Sequence, residues 1–194
     1  VVTDTAPAPK TLPRMQQKYR DEVVAGLREE FGYKNPMMVP RLTKIVVNMG
    51  VGEAVQNKSR MEAANKDLTT TVRQKPMIRK ARVSVAGFKL REGYPVGVAV
   101  TLRGTRMWEF LDRLITLAIP RIRDFRGLKD KLDGRGSYSL GLNDQTVFPE
   151  VNADRLEFTQ GMTITMTMTG GRDDVGKRLL EEFGVPFRRK DQEK

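Results

Sequence analysis

The 194-residue sequence contains no cysteine and no histidine. Without thiols or imidazoles the chain cannot form a disulfide, a thiolate zinc site, a cysteine nucleophile or a Ser-His-Asp triad. It also lacks any apolar run near the roughly 20 residues that a membrane-spanning helix requires. Catalysis would have to rest on carboxylates, lysine, tyrosine, serine or threonine, with a carboxylate-held magnesium ion as one option. These absences leave few classes of enzyme open.

The first residues lack the apolar core of a signal peptide. Residues 1–12 are rich in proline, alanine and threonine, which predicts a disordered tail, and residues 13–194 are expected to form a single α+β domain. The absence of cysteine and of an export signal favours the cytoplasm. No stretch has the composition of a linker that would divide the chain further.

Positive charge is concentrated in one part of the chain. Lys and Arg number 35 against 24 Asp and Glu, a net charge of +11. Residues 77–135 carry 14 basic and six acidic side chains, whereas residues 136–174 carry two basic and six acidic ones. A single charge run is usually a solvated surface, but a bias sustained over 59 residues favours a polyanionic partner. Nucleic acid is the first candidate and an anionic membrane surface the second.

Hydrophobic periodicity predicts helices mixed with two-faced strands. Ser59 with Glu62 has the spacing of a capping box, and Thr105 can cap a later helix. Because the strands have one polar face, the pattern predicts an α+β fold, with a mainly antiparallel sheet, helices packed on one face and the other face free. The predicted helices cover 13–31, 59–72, 105–119 and 173–183, and the predicted strands cover 42–49, 78–85, 96–103, 137–142 and 162–169.

The polar positions of three strands would share the free face if these strands belong to one sheet. Cations hold phosphates, while asparagine and threonine can hydrogen-bond to base edges or to a ribose hydroxyl. An ordinary solvated sheet face is the alternative. The candidate residues are Lys44, Asn48, Lys80, Arg82, Thr101 and Arg103.

A loop that combines aromatic rings with cations lies between two of these strands. Three glycines and a proline in residues 86–97 predict the loop. Phe88, Lys89, Arg91 and Tyr94 suit a sugar-phosphate backbone, because the rings can stack on bases while the cations hold phosphates. The alternative for Phe88 is that its ring packs back into the core.

Four sequence blocks resemble the L5 family of large-subunit ribosomal proteins, which bind 5S rRNA. They are NMGVG at 48–52, QKP at 74–76, FKLREG at 88–93 and VTLRG at 100–104. The resemblance runs in order from about residue 14 to residue 188 and excludes the N-terminal tail. It implies a curved antiparallel sheet, a place in the central protuberance of the cytoplasmic ribosome, and a structural role with no enzymatic activity, cofactor or metal.

The resemblance also implies partners for particular residues. Asn48, Gln74 and Thr101 correspond to the family's polar contacts with 5S rRNA, and neighbouring basic residues would hold its phosphates. The loop from Phe88 to Tyr94 corresponds to the element that approaches the elbow of peptidyl-site tRNA. Further expected partners are large-subunit rRNA, neighbouring 5S-binding proteins and small-subunit protein S13, with no membrane and no homo-oligomer. Since residues 136–174 have net charge −4, we assign the bridge to S13 to that stretch as a hypothesis.

Two other classes of function remain open at this point. A magnesium-dependent RNA-processing enzyme could use the basic surface with Asp124, Asp130, Asp144 or Glu150, and would turn over RNA. A general binder of nucleic acids or anionic membranes would bind duplex DNA or acidic vesicles as well as 5S rRNA.

Overall fold

Five antiparallel strands form one sheet in the order β2-β3-β1-β5-β4. The computed structural model describes residues 12–188 apart from 56, 153–155 and 157, so the expected tail lies, but for Leu12, outside the described residues. The α+β class predicted from the strand pattern is confirmed. The strands are β1 (Leu42–Gly50), β2 (Met77–Lys80), β3 (Pro95–Leu102), β4 (Tyr138–Leu142) and β5 (Met162–Met168).

Helices supply the second layer of the structure. The first helical stretch continues from α1 through a π turn into α2, and Gly32 ends it in the left-handed conformation (φ 66°). A similar π turn follows α4. The helices predicted over 13–31 and 105–119 are therefore both present, each continued through a π turn. The α-helices are α1 (Arg14–Lys18), α2 (Val24–Phe31), α3 (Lys58–Val72), α4 (Gly104–Arg113) and α5 (Asp173–Glu182), and the π turns are Tyr19–Val23 and Leu114–Ala118.

One face of the sheet packs into the hydrophobic core. Ile45, Val47 and Met49 of β1 are fully buried, and Ile164 of β5 lies beside Val47 in the register. These side chains join a single core cluster with residues of α3, α4 and α5. Strand alternation therefore separates a covered face from an uncovered one, as the sequence pattern predicts.

Two predicted helix caps are wrong. The side chain of Asn57 accepts the backbone N–H of Ser59 at 3.0 Å, so α3 begins at Lys58 and Ser59 is not its cap. At α4 the extended residue Arg103 precedes the helix and makes no side-chain cap hydrogen bond. Thr105 is therefore already inside the helix, because the chain turns directly out of β3.

The strand predicted over 78–85 is shorter than its alternating pattern indicates. It ends at Lys80, and Ile78, Val83 and Val85 are exposed by 47%, 68% and 40%. Alternating apolar residues indicate a two-faced strand only where another layer covers one face. Here the apolar positions remain at the surface.

Candidate nucleic-acid interface

The uncovered side of the sheet carries small polar residues in direct cross-strand register. One row runs from Thr101 through Val46 and Thr165 to Ser139. The next runs through Ala99, Asn48, Thr163 and Gly141. We call this side of β3, β1, β5 and β4 the open face. Asn48, Thr101, Ser139 and Thr163 are all exposed there.

The open face extends further than the sequence indicated. Thr163 and Thr165 continue the polar rows on β5, and the hydroxyls of Ser139 and Thr165 lie 3.1 Å apart. The alternation of threonine with methionine in β5 was visible in the sequence. Its place beside Asn48 was not, because that depends on β5 pairing with β1 across more than 100 residues of chain.

Gln74 lies beside Thr101 at one end of the open face. Its Nε2 donates to the backbone oxygen of Thr101 at 3.4 Å, and its Oε1 accepts from Nη1 of Arg106 at 3.4 Å. Both bonds are long, which leaves the amide able to exchange partners. The site thus includes Arg106, which sequence reasoning missed because this contact depends on where α3 ends against β3.

The cations predicted for the open face do not all lie on it. Lys44 has the strand parity of Asn48 and is half-buried. On β2, Arg79 pairs with Gly97, and after a register shift Lys80 pairs with Pro95, so both cations have β3 partners on the side of Thr101; Arg79 was missed by sequence reasoning. Placing Arg82 on a strand face is wrong, because β2 has already ended.

These basic side chains are free for an external partner. Within the described part of the chain, no ion pair or side-chain hydrogen bond engages Lys44, Arg79, Lys80, Arg82 or Arg103. Arg103 lies at the junction of β3 and α4, directly after Leu102 and two residues after Thr101. Unpaired cations of this kind supply the salt-dependent part of nucleic-acid binding.

The predicted loop is an ordered hairpin that extends β2 and β3, and we call residues 81–94 the hairpin arm. Ala81 donates to Tyr94 O at 2.8 Å and accepts from Gly93 N at 3.0 Å. Further out, Val85 and Leu90 exchange backbone hydrogen bonds of 2.9 and 3.2 Å. The arm therefore has a defined backbone although none of its side chains is buried.

The tip of the arm presents an aromatic ring to solvent. Phe88 is 81% exposed, so the alternative in which it packs into the core is wrong. Lys89 follows in the left-handed conformation (φ 51°), which turns the chain back. Arg91 and Tyr94 are exposed on the returning side. The geometry thus presents rings together with cations, as stacking on nucleic acid requires.

Three of the four carboxylates of the catalytic alternative are engaged in separate structural contacts. Asp130 pairs with Lys177 at 3.2 Å, and Glu150 pairs with Arg113. Asp144 accepts the backbone N–H of Thr146 at 2.8 Å. Across the described ranges, no group of three or more acidic residues is placed to hold a metal ion. In those same ranges no helix is both long and apolar enough to cross a membrane.

Comparison with known proteins matches nearly the whole chain. A family model described as ribosomal protein L5 matches residues 35–91, and a second model, for the C-terminus of the same ribosomal family, matches residues 95–187. The large ribosomal subunit protein uL5 of Salinispora tropica is 54% identical, over 95% of this chain and 98% of that protein. The uL5 proteins of Streptomyces coelicolor and Marinomonas sp. are also 54% identical, over 93% and 92% of this chain and 98% and 100% of their own lengths.

Proposed function

Because the chain belongs to the uL5 family of large-subunit ribosomal proteins, we propose that it binds 5S rRNA through the open face of its sheet. The family is structural and not catalytic, and its members serve translation in the cytoplasmic ribosome. That membership sets aside the RNA-processing enzyme. What it does not specify is which residues meet which RNA.

The observation that carries the proposal is the grouping of Asn48, Gln74 and Thr101. Asn48 and Thr101 are exposed on adjacent strands, and Gln74 touches the backbone of Thr101. Amide and hydroxyl groups can bond to bases and to the ribose 2′-hydroxyl, which distinguishes RNA from DNA. The cations proposed to hold the phosphates of this RNA are Lys44, Arg79, Lys80, Arg82, Arg103 and Arg106.

Alanine substitutions test whether these polar groups select the RNA. We expect Asn48→Ala and Thr101→Ala each to weaken 5S rRNA affinity by about tenfold, equivalent to roughly 1.4 kcal/mol for a lost hydrogen-bonded contact. The free energy of unfolding should change by less than about 1 kcal/mol, because both side chains are exposed and only their strand propensity is altered. Asn143→Ala, an exposed asparagine just after β4, is the matched control. Parallel losses of affinity and stability would make Asn48 and Thr101 structural residues.

We also propose that the hairpin arm contacts peptidyl-site tRNA. Exposed Phe88 supports this, with Lys89, Arg91 and Tyr94 around it. Rings stack on bases while cations hold the backbone, so the contact would tolerate different tRNA sequences. Crosslinking from position 88 to tRNA in translating ribosomes is the direct test. Crosslinks to 5S rRNA alone would assign the arm to the first interface.

The bridge to small-subunit protein S13 is proposed for residues 136–174 because that stretch is acidic. Large-subunit rRNA and the neighbouring 5S-binding proteins are the remaining proposed partners. Asp174→Lys reverses an exposed charge whose only ion-pair partner in the described chain is the exposed Arg172. We expect this change to weaken association of the subunits at low magnesium. Unchanged association and unchanged contacts with S13 would remove the bridge from this stretch.

A further inference from the structure

Methionine is the side chain that peroxides oxidise most readily in a chain without cysteine. Seven of the ten methionines are no more than 7% exposed and belong to the hydrophobic core. The other three are Met37, Met38 and Met77, which are exposed by 81%, 61% and 62%. An oxidant in solution therefore reaches the sulfur atoms of these three residues before those of the core.

Met77 alone among the three exposed methionines lies in the sheet. As the first residue of β2 it pairs with Ala99 of β3, which pairs in turn with Asn48 of β1. Residues paired directly across antiparallel strands point to the same side of the sheet, so Met77 and Asn48 share one row of the open face. Two strand spacings separate their backbones, or about 10 Å. Between them the row holds only the methyl group of Ala99.

The other two exposed methionines provide an internal comparison because they lie outside the sheet. Met37 and Met38 belong to the short helical turn Pro36–Met38, ahead of β1. Two residues later the backbone oxygen of Pro40 accepts the hydroxyl of Tyr19 at 2.9 Å, which joins this segment to the helical layer. Oxidation at Met37 and Met38 would thus change an exposed surface without changing the row of Asn48.

Met77 also neighbours a cation of the open face. Arg79 is two residues further along β2, on the same side of the strand and about 7 Å away along the backbone. In the described chain Arg79 forms no ion pair. A thioether is apolar and polarizable, and it packs well against aromatic rings. An apolar contact for a base and a free cation for a phosphate therefore lie side by side.

We propose that Met77 is an oxidation site whose conversion to the sulfoxide lowers the affinity of the chain for 5S rRNA. The oxidant is a hydroperoxide. A lone pair of the sulfur attacks one peroxide oxygen, the S–O bond forms as the O–O bond breaks, and the proton of the transferred hydroxyl passes to the leaving oxygen. The sulfur is oxidised and hydrogen peroxide is reduced to water. The proposal rests on the binding of 5S rRNA by the open face.

The sulfoxide would weaken RNA binding in two ways. Its polar S–O group has to be desolvated where the thioether could pack against RNA, which costs free energy unless a donor replaces water. Its oxygen is also a hydrogen-bond acceptor close to Arg79, where it competes with phosphate for the guanidinium. RNA bound to the open face would keep peroxide away from the sulfur, so the modification acts on the chain before RNA binds.

The test measures the 5S rRNA affinity of the full chain before and after limited treatment with hydrogen peroxide, which is removed before RNA is added. Peptide mass spectrometry measures the sulfoxide at each methionine, and circular dichroism checks the fold. Met77→Leu keeps an apolar side chain of similar volume that peroxide does not oxidise. Met77→Gln places a permanent polar group there, and Met37→Leu with Met38→Leu is the matched control. Methionine sulfoxide reductases for both sulfoxide epimers, with dithiothreitol as reductant, then return the sulfoxide to the thioether.

We expect oxidation to weaken 5S rRNA binding by about five- to tenfold in the unmodified chain and in the control variant, and by less than about twofold in Met77→Leu. Treatment with the reductases should restore the affinity, and Met77→Gln should bind as weakly as the oxidised chain. An equal loss in Met77→Leu would overturn the proposal, because another residue would then carry the effect. Slower oxidation of Met77 than of the core methionines would also overturn it.

The same measurements separate this proposal from the one on which it rests. If the unoxidised chain shows no preference for 5S rRNA over an unrelated RNA of matched length, the open-face assignment fails and the effect of oxidation fails with it. A clear preference before oxidation, with unchanged affinity once Met77 is oxidised, would overturn the oxidation proposal alone.

Discussion

The two faces of the sheet use one sequence alternation for two different purposes. On β5, Ile164 and Met166 are buried in the core, whereas Thr163 and Thr165, the residues just before each of them in the sequence, lie on the open face. The covered face gains stability from apolar burial, at roughly 25 cal/mol per Å². The open face carries hydroxyl and amide groups that are not packed into the core, so the stability of the fold does not depend on their burial. The contrast teaches that folding and RNA binding should respond to different substitutions on the same strands.

Substitutions of buried residues on the covered face should have large effects on stability. Ile164 is fully buried between Val47 of β1 and Leu140 of β4. Ile164→Ala should lower the free energy of unfolding by about 2–5 kcal/mol, because it leaves a cavity in the core. Urea unfolding measures the loss. The neighbouring Thr163→Ala should cost less than about 1 kcal/mol, and a similar cost for both would contradict the division of faces.

Gly97 lies on the open face at a position where β3 and β1 approach too closely for a larger side chain. A Cβ at Gly97 would lie 2.7 Å from the backbone oxygen of Met49, so β3 and β1 would have to move apart. Gly97→Ala should therefore destabilise by about 1–3 kcal/mol, as overpacking does. Gly141 on β4 has no neighbouring atom within 4 Å of its Cβ position, and Gly141→Ala is the matched control. Equal melting temperatures for the two variants would contradict the close approach of these strands.

The ionisation of Tyr138, a buried residue of β4, should make the free energy of unfolding depend on pH in the alkaline range. Burial, aided by nearby Asp130, raises the pKa of Tyr138 from 10.0 to about 12. The unfolded chain releases this proton near pH 10 and the folded chain only near pH 12, so the free energy of unfolding should fall between these values.

Tyr138→Phe removes both that titration and the hydrogen bond to Lys129 O. At neutral pH the variant should be less stable by about 1 kcal/mol, because a buried hydrogen bond is lost. Its stability should fall less steeply above pH 10 than that of the unmodified chain, as urea unfolding across an alkaline pH series would measure. Identical slopes would show that the phenol is not held protonated.

The smallest effect on stability is expected at the arm tip. Phe88→Ala should change the free energy of unfolding by no more than about 0.5 kcal/mol, because the ring is already in solvent. The same change at the fully buried Phe148 should cost about 3–5 kcal/mol. Thermal unfolding of both variants makes the comparison. A large loss at Phe88 would mean that the ring supports the arm.

The central strands could be predicted from the sequence because each lies between two other strands and its apolar side chains are buried in the core. Ile45 and Val100 each stand beside a polar residue, Lys44 and Thr101, and are buried in the core, so pattern and structure agree. The same reasoning placed Asn48 and Thr101 together on the uncovered side.

Contacts distant in sequence could not be predicted in this way. The alternation of Val83 and Val85 with polar residues suggested a longer strand, but no layer buries these residues. Gln74 reaches Thr101 only because α3 ends against β3. Arg188 hydrogen-bonds to the backbone of Leu128 only because the chain returns beside it. Such neighbours depend on the topology of the fold and not on local periodicity.

The most direct test of the open-face interface is the affinity of the chain for 5S rRNA, for tRNA and for an unrelated RNA of matched length, across a series of salt concentrations. A surface that binds through its cations alone would bind all three RNAs with similar affinity, and that affinity would fall steeply as the salt concentration rises. Because Asn48, Gln74 and Thr101 add hydrogen bonds that depend on RNA structure, we expect a preference for 5S rRNA that survives at moderate salt. Equal and equally salt-dependent binding to all three RNAs would contradict the account, and would reduce the open face to a general polyanion surface.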